Sequence, residues 1–178
     1  MIGSGVRPPE SKIQLRREMV FECRRLRLEG NTIVFTNGTF DVLHAGHTTY
    51  LNHARSLGDA LIVGLNSDKS IRSIKGEKRP IIPETQRALT LAALECVDYV
   101  VLFDEDEPRD LIAELLPDVL IKSEDWTHYV SGREVVEANG GRVVLSPMVE
   151  GLSTSGIIRK ILDLYRDEET SENSECPS

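Results

Sequence analysis

Apolar positions along the chain fall into two alternating patterns. Continuous runs read as buried strands: TIVFT at 32–36, ALIVGLN at 60–66, DYVVLF at 98–103, DVLIK at 118–122 and RVVLS at 142–146. Between them, apolar residues recur at helical spacing. Tyr50, Leu51, Ala54 and Leu57 mark a helix over about 46–57 that Gly58 ends. Ala88, Leu91, Ala92 and Glu95 mark another over about 84–95, with Pro83 and Glu84 suiting its first turn. A short helix runs from Pro108 to near Leu116, and one over about 131–138 stops at Asn139-Gly140-Gly141. Ile157, Ile158, Ile161, Leu162 and Tyr165 share one face of a final helix. Ahead of the first strand, Ser11 can cap a helix over about 12–28, with Leu15, Met19, Cys23 and Leu26 on one face and Gly30 as its stop. Residues 67–83 read as a long polar loop.

Continuous apolar strands alternating with helices predict βαβ units. The expected fold is a Rossmann-like, doubly wound α/β sheet of about five parallel strands, with helices on both faces and an extra N-terminal helix. One domain spans 11–165. Residues 1–10, rich in Gly and Pro, are expected to be flexible, and the acidic, Ser-rich stretch 166–178 disordered. Such sheets bind ligands outside the carboxyl ends of their strands. The segments that follow the strands, 36–47, 66–82, 103–107, 122–128 and 146–155, therefore carry most weight.

The first of these is TNGTFDVLHAGH (36–47). Gly38 permits a tight turn or close backbone approach. His44 and His47, three apart at a helix start, lie on one face, where the helix N-terminus already favours anions. Two imidazoles there supply directed donors for phosphate oxygens. A shared metal ion is the other reading, but no third ligand stands at convincing spacing. The next segment carries Arg72, Lys75, Lys78 and Arg79, either a clamp for a phosphorylated substrate or a solvated cationic loop. Arg87, on the following helix, either faces the same crevice or pairs with an acid. In KSEDW (122–126), Trp126 can stack on a base or pack under a loop, and Asp125 can accept from a ribose hydroxyl. Ser153, Thr154 and Ser155, preceded by Gly151, combine an N-cap with an anion nest.

Composition mainly excludes. At 178 residues, 40% hydrophobic and 28% charged, the chain is an ordinary globular domain. No apolar stretch approaches the ~20 residues that span a bilayer, so no membrane partner is expected. MIGSGVRPPESK lacks a secretory core, and Cys23, Cys96 and Cys176 form no CxxC, so a cytoplasmic protein without a disulfide frame is expected. A net charge of −8 speaks against nucleic acid as partner. An acidic chain with one basic segment suits a small phosphorylated ligand. The helix over 12–28 can face a partner subunit or the chain's own core, which leaves a homo-oligomer open.

TNGTFDVLHAGH resembles the TxGxFDxxHxGH signature of the HxGH-type nucleotidyltransferases, and KSEDW and EGLSTSGII resemble two later motifs of their cytidylyltransferase-like branch. Three motifs in order, each after a strand, cover most of the chain. Within that branch, HAGHTTYLNHARSLGDALIVGLNSD, KGEKRP, ALECVDYVV, FDEDEP and ANGG are similar to the heptose 1-phosphate adenylyltransferases. The resemblance implies a reaction of ATP with D-glycero-D-manno-heptose 1-phosphate to give ADP-heptose and diphosphate. It also implies magnesium on the triphosphate and a separate sugar kinase upstream. It places Thr36 and Gly38 in the nucleotide site, the backbone N–H groups of Thr39 and Phe40 by the α-phosphate, and His44 and His47 on the nucleotide phosphates. Lys75, with Lys78, Arg79 and Arg87, would hold substrate phosphate; Lys122, Asp125 and Trp126 would surround the nucleoside; Ser153, Thr154 and Ser155 would hold the β- and γ-phosphates.

Three departures qualify the match. Met148 stands where cytidylyltransferases for phosphocholine and glycerol phosphate carry arginine. Ser123 and Glu124 replace the two glycines usual in heptose enzymes, and Lys160 replaces an arginine of the last motif. The alternatives are a guanylyl- or cytidylyltransferase for another sugar or polyol phosphate, and a non-catalytic nucleotide-binding module on the same fold.

Overall fold

The computed structural model describes residues 7–124, 129–147 and 151–166. A two-residue strand, β1 (Ile13–Gln14), precedes β2 (Ile33–Gly38), β3 (Ala60–Asn66), β4 (Tyr99–Phe103), β5 (Val119–Ser123) and β6 (Arg142–Ser146). They form one parallel sheet in the order β1-β4-β3-β2-β5-β6. The sheet thus has six strands rather than five; β1 is too short to show a period and is defined only by its pairing with β4.

Seven α-helices lie among the described residues: α1 (Arg16–Leu28), α2 (Ala45–Arg55), α3 (Asp68–Lys75), α4 (Glu84–Ala92), α5 (Arg109–Leu115), α6 (Arg133–Ala138) and α7 (Thr154–Tyr165). The central strands are apolar on both faces because both are covered. Ile33 and Phe35 of β2 pack with residues of α1, α5 and α6, while Val34 between them packs with residues of α2 and α4. The chain runs from β2 outward through β3 to β4, then returns to lay β5 on the other side of β2. That reversal opens a crevice between the carboxyl ends of β2 and β5.

Three expectations change. Ser11 does not cap α1: it sits in a 3₁₀ turn (Pro9–Lys12), its hydroxyl donating to the Pro8 carbonyl at 2.7 Å. The helix starts after Leu15, whose N–H donates to Glu18 at 3.2 Å and whose side chain is 58% exposed. Met19, Cys23 and Leu26 face the sheet, so α1 serves the chain's own core. Second, the polar loop contains α3. Ser67 caps it, accepting from the Ser70 N–H, but only Ile71 is a buried apolar residue among the charges, too little to show a period. Third, α7 has no buried residue: Ile161 and Leu162 are 51% and 57% exposed. Of the expected flexible N-terminus, residues 1–6 lie outside the described residues, while Arg7 donates to the carbonyls of Asp98 and Ser11. The tail beyond Arg166 also lies outside them. No described helix is long and apolar enough to cross a membrane.

Candidate functional site

A cavity of about 760 Å³ opens at the carboxyl ends of the strands. It gathers Gly38, Thr39 and Phe40 after β2, His44 and His47 at the start of α2, Lys75 at the end of α3, Lys122 on β5, and Ser153, Thr154 and Ser155 at the start of α7. Segments far apart in sequence meet there because each follows, or packs beside, a parallel strand.

His44 is the N-cap of α2 and His47 lies one turn in. Their rings stack with centroids 3.8 Å apart and planes at 24°, and the Phe40 ring meets His47 edge-on at 5.2 Å. Gly46 makes room: a Cβ there would come within 3.0 Å of His44 Nδ1. Burial lowers the His44 pKa, and burial, reinforced by His44 and Lys75, pushes His47 down to about 4. Both rings are therefore neutral at pH 7. Their Nδ1 atoms are buried and, among the described residues, without a partner. The tautomer that leaves no buried N–H unpaired places the proton on Nε2, the edge with which each ring can donate into the cavity.

This has a consequence for stability. The His47 pKa drops from 6.5 to about 4 on folding, so between these values the unfolded chain binds more protons. Stability is full above pH 6.5 and falls as pH falls toward 4. Denaturant titrations across that window should show wild type losing about 1–2 kcal/mol more than His47→Gln, a figure discounted for partial solvent screening. Parallel curves for the two proteins would show that His47 is not desolvated.

The loop after β2 is tightly shaped. Phe40 takes a left-handed backbone (φ 41°) and is 6% exposed. Gly38 lies beneath that ring: a Cβ would stand 2.9 Å from Phe40 Cε2. Lys75 Nζ donates to Thr39 Oγ1 at 3.1 Å, and burial, then Arg79, hold the Lys75 pKa below its usual value against an opposing pull from Asp41. Across the crevice, Lys122 Nζ donates to Asn37 Oδ1 at 3.0 Å. Ser153 caps α7, its hydroxyl accepting from the Gly156 N–H at 3.0 Å, and the Thr154 hydroxyl donates to the Val42 carbonyl at 3.3 Å. The cap and the HxGH loop are thus tied directly together.

Four expected site residues are placed otherwise. Thr36 is fully buried under the site; the Tyr50 hydroxyl donates to the Ile121 carbonyl, so at 2.8 Å Thr36 donates to Tyr50. Arg87 does not line the cavity: its guanidinium is fully buried and pairs with Asp68 at 2.7 Å, the second of the two readings its sequence left open. Lys78 is exposed and outside the cavity lining. Arg79 lines the cavity, but its Nε is held by Asp41 at 2.6 Å. Asp125, Trp126 and Met148 lie outside the described residues. No group of three metal-ligating side chains converges among the described residues.

The sequence reading missed Asn37, Asn66 and Asp41. The first two are polar residues at the penultimate position of β2 and the last position of β3, a signal visible once strand ends are known. Asp41, 1% exposed, accepts from Arg79 Nε and the N–H groups of Ile81 and Ile82. Its role depends on a contact about forty residues away that spacing does not reveal.

A parallel sheet with its switch-point crevice lined by imidazoles, lysines and a hydroxyl-rich helix start defines a Rossmann-like phosphate-handling domain. The chain belongs to the cytidylyltransferase-like family, whose model matches residues 35–160, and is a nucleotidyltransferase. Among curated relatives, the bifunctional protein HldE of Citrifermentans bemidjiense is 54% identical over 165 residues, covering 92% of this chain and 34% of the relative. HldE of Geobacter sulfurreducens is 58% identical over 143 residues, 80% of this chain and 29% of the relative. The chain thus spans about a third of the length of the curated relatives it matches. Of solved structures, a lipopolysaccharide core biosynthesis protein from Thermoplasma volcanium superposes with a TM-score of 0.56 at 28% identity, covering 67% of this chain and 98% of that one. A pantoate-beta-alanine ligase from Francisella tularensis, at 17% identity and TM-score 0.59 over 86% and 78% of the two chains, shares the fold.

Proposed function

We propose that this domain transfers adenylate from ATP to D-glycero-D-manno-heptose 1-phosphate, giving ADP-heptose and diphosphate. The observation that carries the reading is one cavity holding two stacked neutral imidazoles, Lys75 and the Ser153–Ser155 helix start. The identity to HldE proteins supports the heptose substrate. A phosphate oxygen of the sugar attacks the α-phosphorus in line, the new P–O bond forms, and the bond to the bridging oxygen of diphosphate breaks. The nucleophile is already an anion at neutral pH, so no general base is required. The obstacle is repulsion between two polyanions and the charge of the pentacoordinate transition state, which preorganised donors relieve.

In this reading the imidazoles and the Phe40 N–H face the α-phosphate region, Lys75 neutralises substrate phosphate, and the Ser153 and Ser155 hydroxyls with the N–H groups of the α7 start take the outer phosphates. Magnesium would arrive on the triphosphate oxygens. A sugar kinase would supply the acceptor.

The test is a matrix of ATP, GTP and CTP against heptose 1-phosphate, glycerol 3-phosphate and phosphocholine, read by diphosphate release. Turnover with ATP and heptose 1-phosphate should exceed every other pair. Turnover confined to CTP with glycerol 3-phosphate would overturn the substrate assignment, and no diphosphate from any pair would favour a non-catalytic module.

A further inference from the structure

Arg87 is the largest fully buried side chain among the described residues, and none of its nitrogens reaches the cavity lining. Its guanidinium makes four bonds: Nε to the Ile82 carbonyl at 2.9 Å, Nη1 to the carbonyls of Thr39 at 2.7 Å and Asn66 at 2.9 Å, and Nη2 to Asp68 at 2.7 Å. Only one of these acceptors belongs to the HxGH loop, and it is the carbonyl of the peptide joining Thr39 to Phe40. That peptide is trans: among the described residues only Arg79-Pro80 is cis. Across a trans peptide the C=O and N–H point in opposite directions. With the Thr39 oxygen drawn inward onto Arg87, the Phe40 N–H is turned outward, on the side of the cavity that Thr39 and Phe40 line. Among the described residues that N–H has no acceptor. Phe40 itself sits in the left-handed region, a strained conformation for a non-glycine residue that persists only when its surroundings hold it.

We infer that Arg87 is a positioning residue for nucleotidyl transfer: by binding the Thr39 carbonyl from below, it locks the Thr39–Phe40 peptide so that the Phe40 N–H donates to one non-bridging oxygen of the α-phosphate. This rests on the nucleotidyl-transfer reading but not on the identity of the acceptor. A guanidinium suits the task because its planar fork holds three carbonyls and a carboxylate at once, fixing the loop against both β3 and α3. Lysine keeps the charge but cannot reach all four acceptors.

A donor aimed at one α-oxygen discriminates between the two diastereomers of the α-thiotriphosphate, because sulfur accepts a hydrogen bond poorly. Wild type should therefore favour one diastereomer. In Arg87→Lys, kcat should fall roughly 100-fold, KM for the nucleotide should change little, and the diastereomer preference should collapse toward unity. A purely structural role would lower active protein without changing that ratio. An unchanged ratio in folded Arg87→Lys, or no preference in an active wild type, would overturn the inference. Should Arg87→Lys not fold, Asp68→Ala decides: it removes the acceptor of Nη2 and leaves Nη1 on Thr39, so the ratio should persist, and its collapse would assign the effect to the ion pair instead. An inactive wild type would count against nucleotidyl transfer itself rather than against Arg87.

Discussion

Replacing His47 with alanine should lower kcat for nucleotidyl transfer roughly 100-fold or more, and His44→Ala should do the same. Each removes a preorganised donor from a site where charge develops at the transition state. Both rings are neutral at pH 7 because burial lowers their pKa values, so what is lost is a directed N–H rather than a fixed charge. The rings stack at 3.8 Å and each helps to orient the other. The double variant should therefore lose much less than the product of the single losses, as groups acting as a unit do. Steady-state diphosphate release, with circular dichroism to confirm folding, reads all three proteins. Near-normal turnover in either single variant would remove that histidine from the chemistry, and fully multiplicative losses would show that the two act independently.

Asp41→Ala should destabilise the protein by about 3–5 kcal/mol, the usual cost of removing one partner of a buried ion pair. Asp41 is 1% exposed and binds Arg79 Nε at 2.6 Å and the N–H groups of Ile81 and Ile82 at 2.8 and 2.9 Å. Its removal strands a largely buried guanidinium and two backbone donors together. Asp41→Asn keeps an acceptor for the N–H groups and should cost less. Because Asp41 anchors the segment after α3, folded Asp41→Asn should also bind phosphorylated substrates more weakly through displacement of Arg79 and Lys75. Urea midpoints measure the first effect and KM values the second. A loss below about 1 kcal/mol for Asp41→Ala would show that solvent enters and hydrates the pair.

The two aspartate–arginine pairs correct the reading of the basic segment. From sequence, Arg72, Lys75, Lys78 and Arg79 form one cationic cluster, and Arg87 could join it. In the structure Lys75 donates to Thr39 and faces the cavity, Arg79 is divided between the cavity wall and Asp41, Lys78 is exposed outside the lining, and Arg87 is buried beneath the site. A cation's role is set by the nearest carboxylate, and those carboxylates lie 19 and 38 residues away in sequence. No local period encodes such a contact.

The α/β class, the five main strands and the HxGH position were legible because they rest on local signals: apolar runs of strand length, helical periodicity, and glycines and hydroxyls at element ends. β1 and α3 were not, because two residues of strand and one buried apolar residue in a helix are too little to rise above the surrounding polar chain. The exposed apolar face of α7 was not legible either, since periodicity shows that a face is apolar but not what covers it.

The sequence by itself thus determined which segments follow strands and which side chains there can meet phosphate. The tertiary structure alone decided which of them share a cavity, that the two imidazoles stack and stay neutral, and that Arg87 lies beneath the loop rather than in it. The physical reason is one of range: propensity and periodicity act over a few residues, whereas desolvation and ion pairing depend on what the fold brings together.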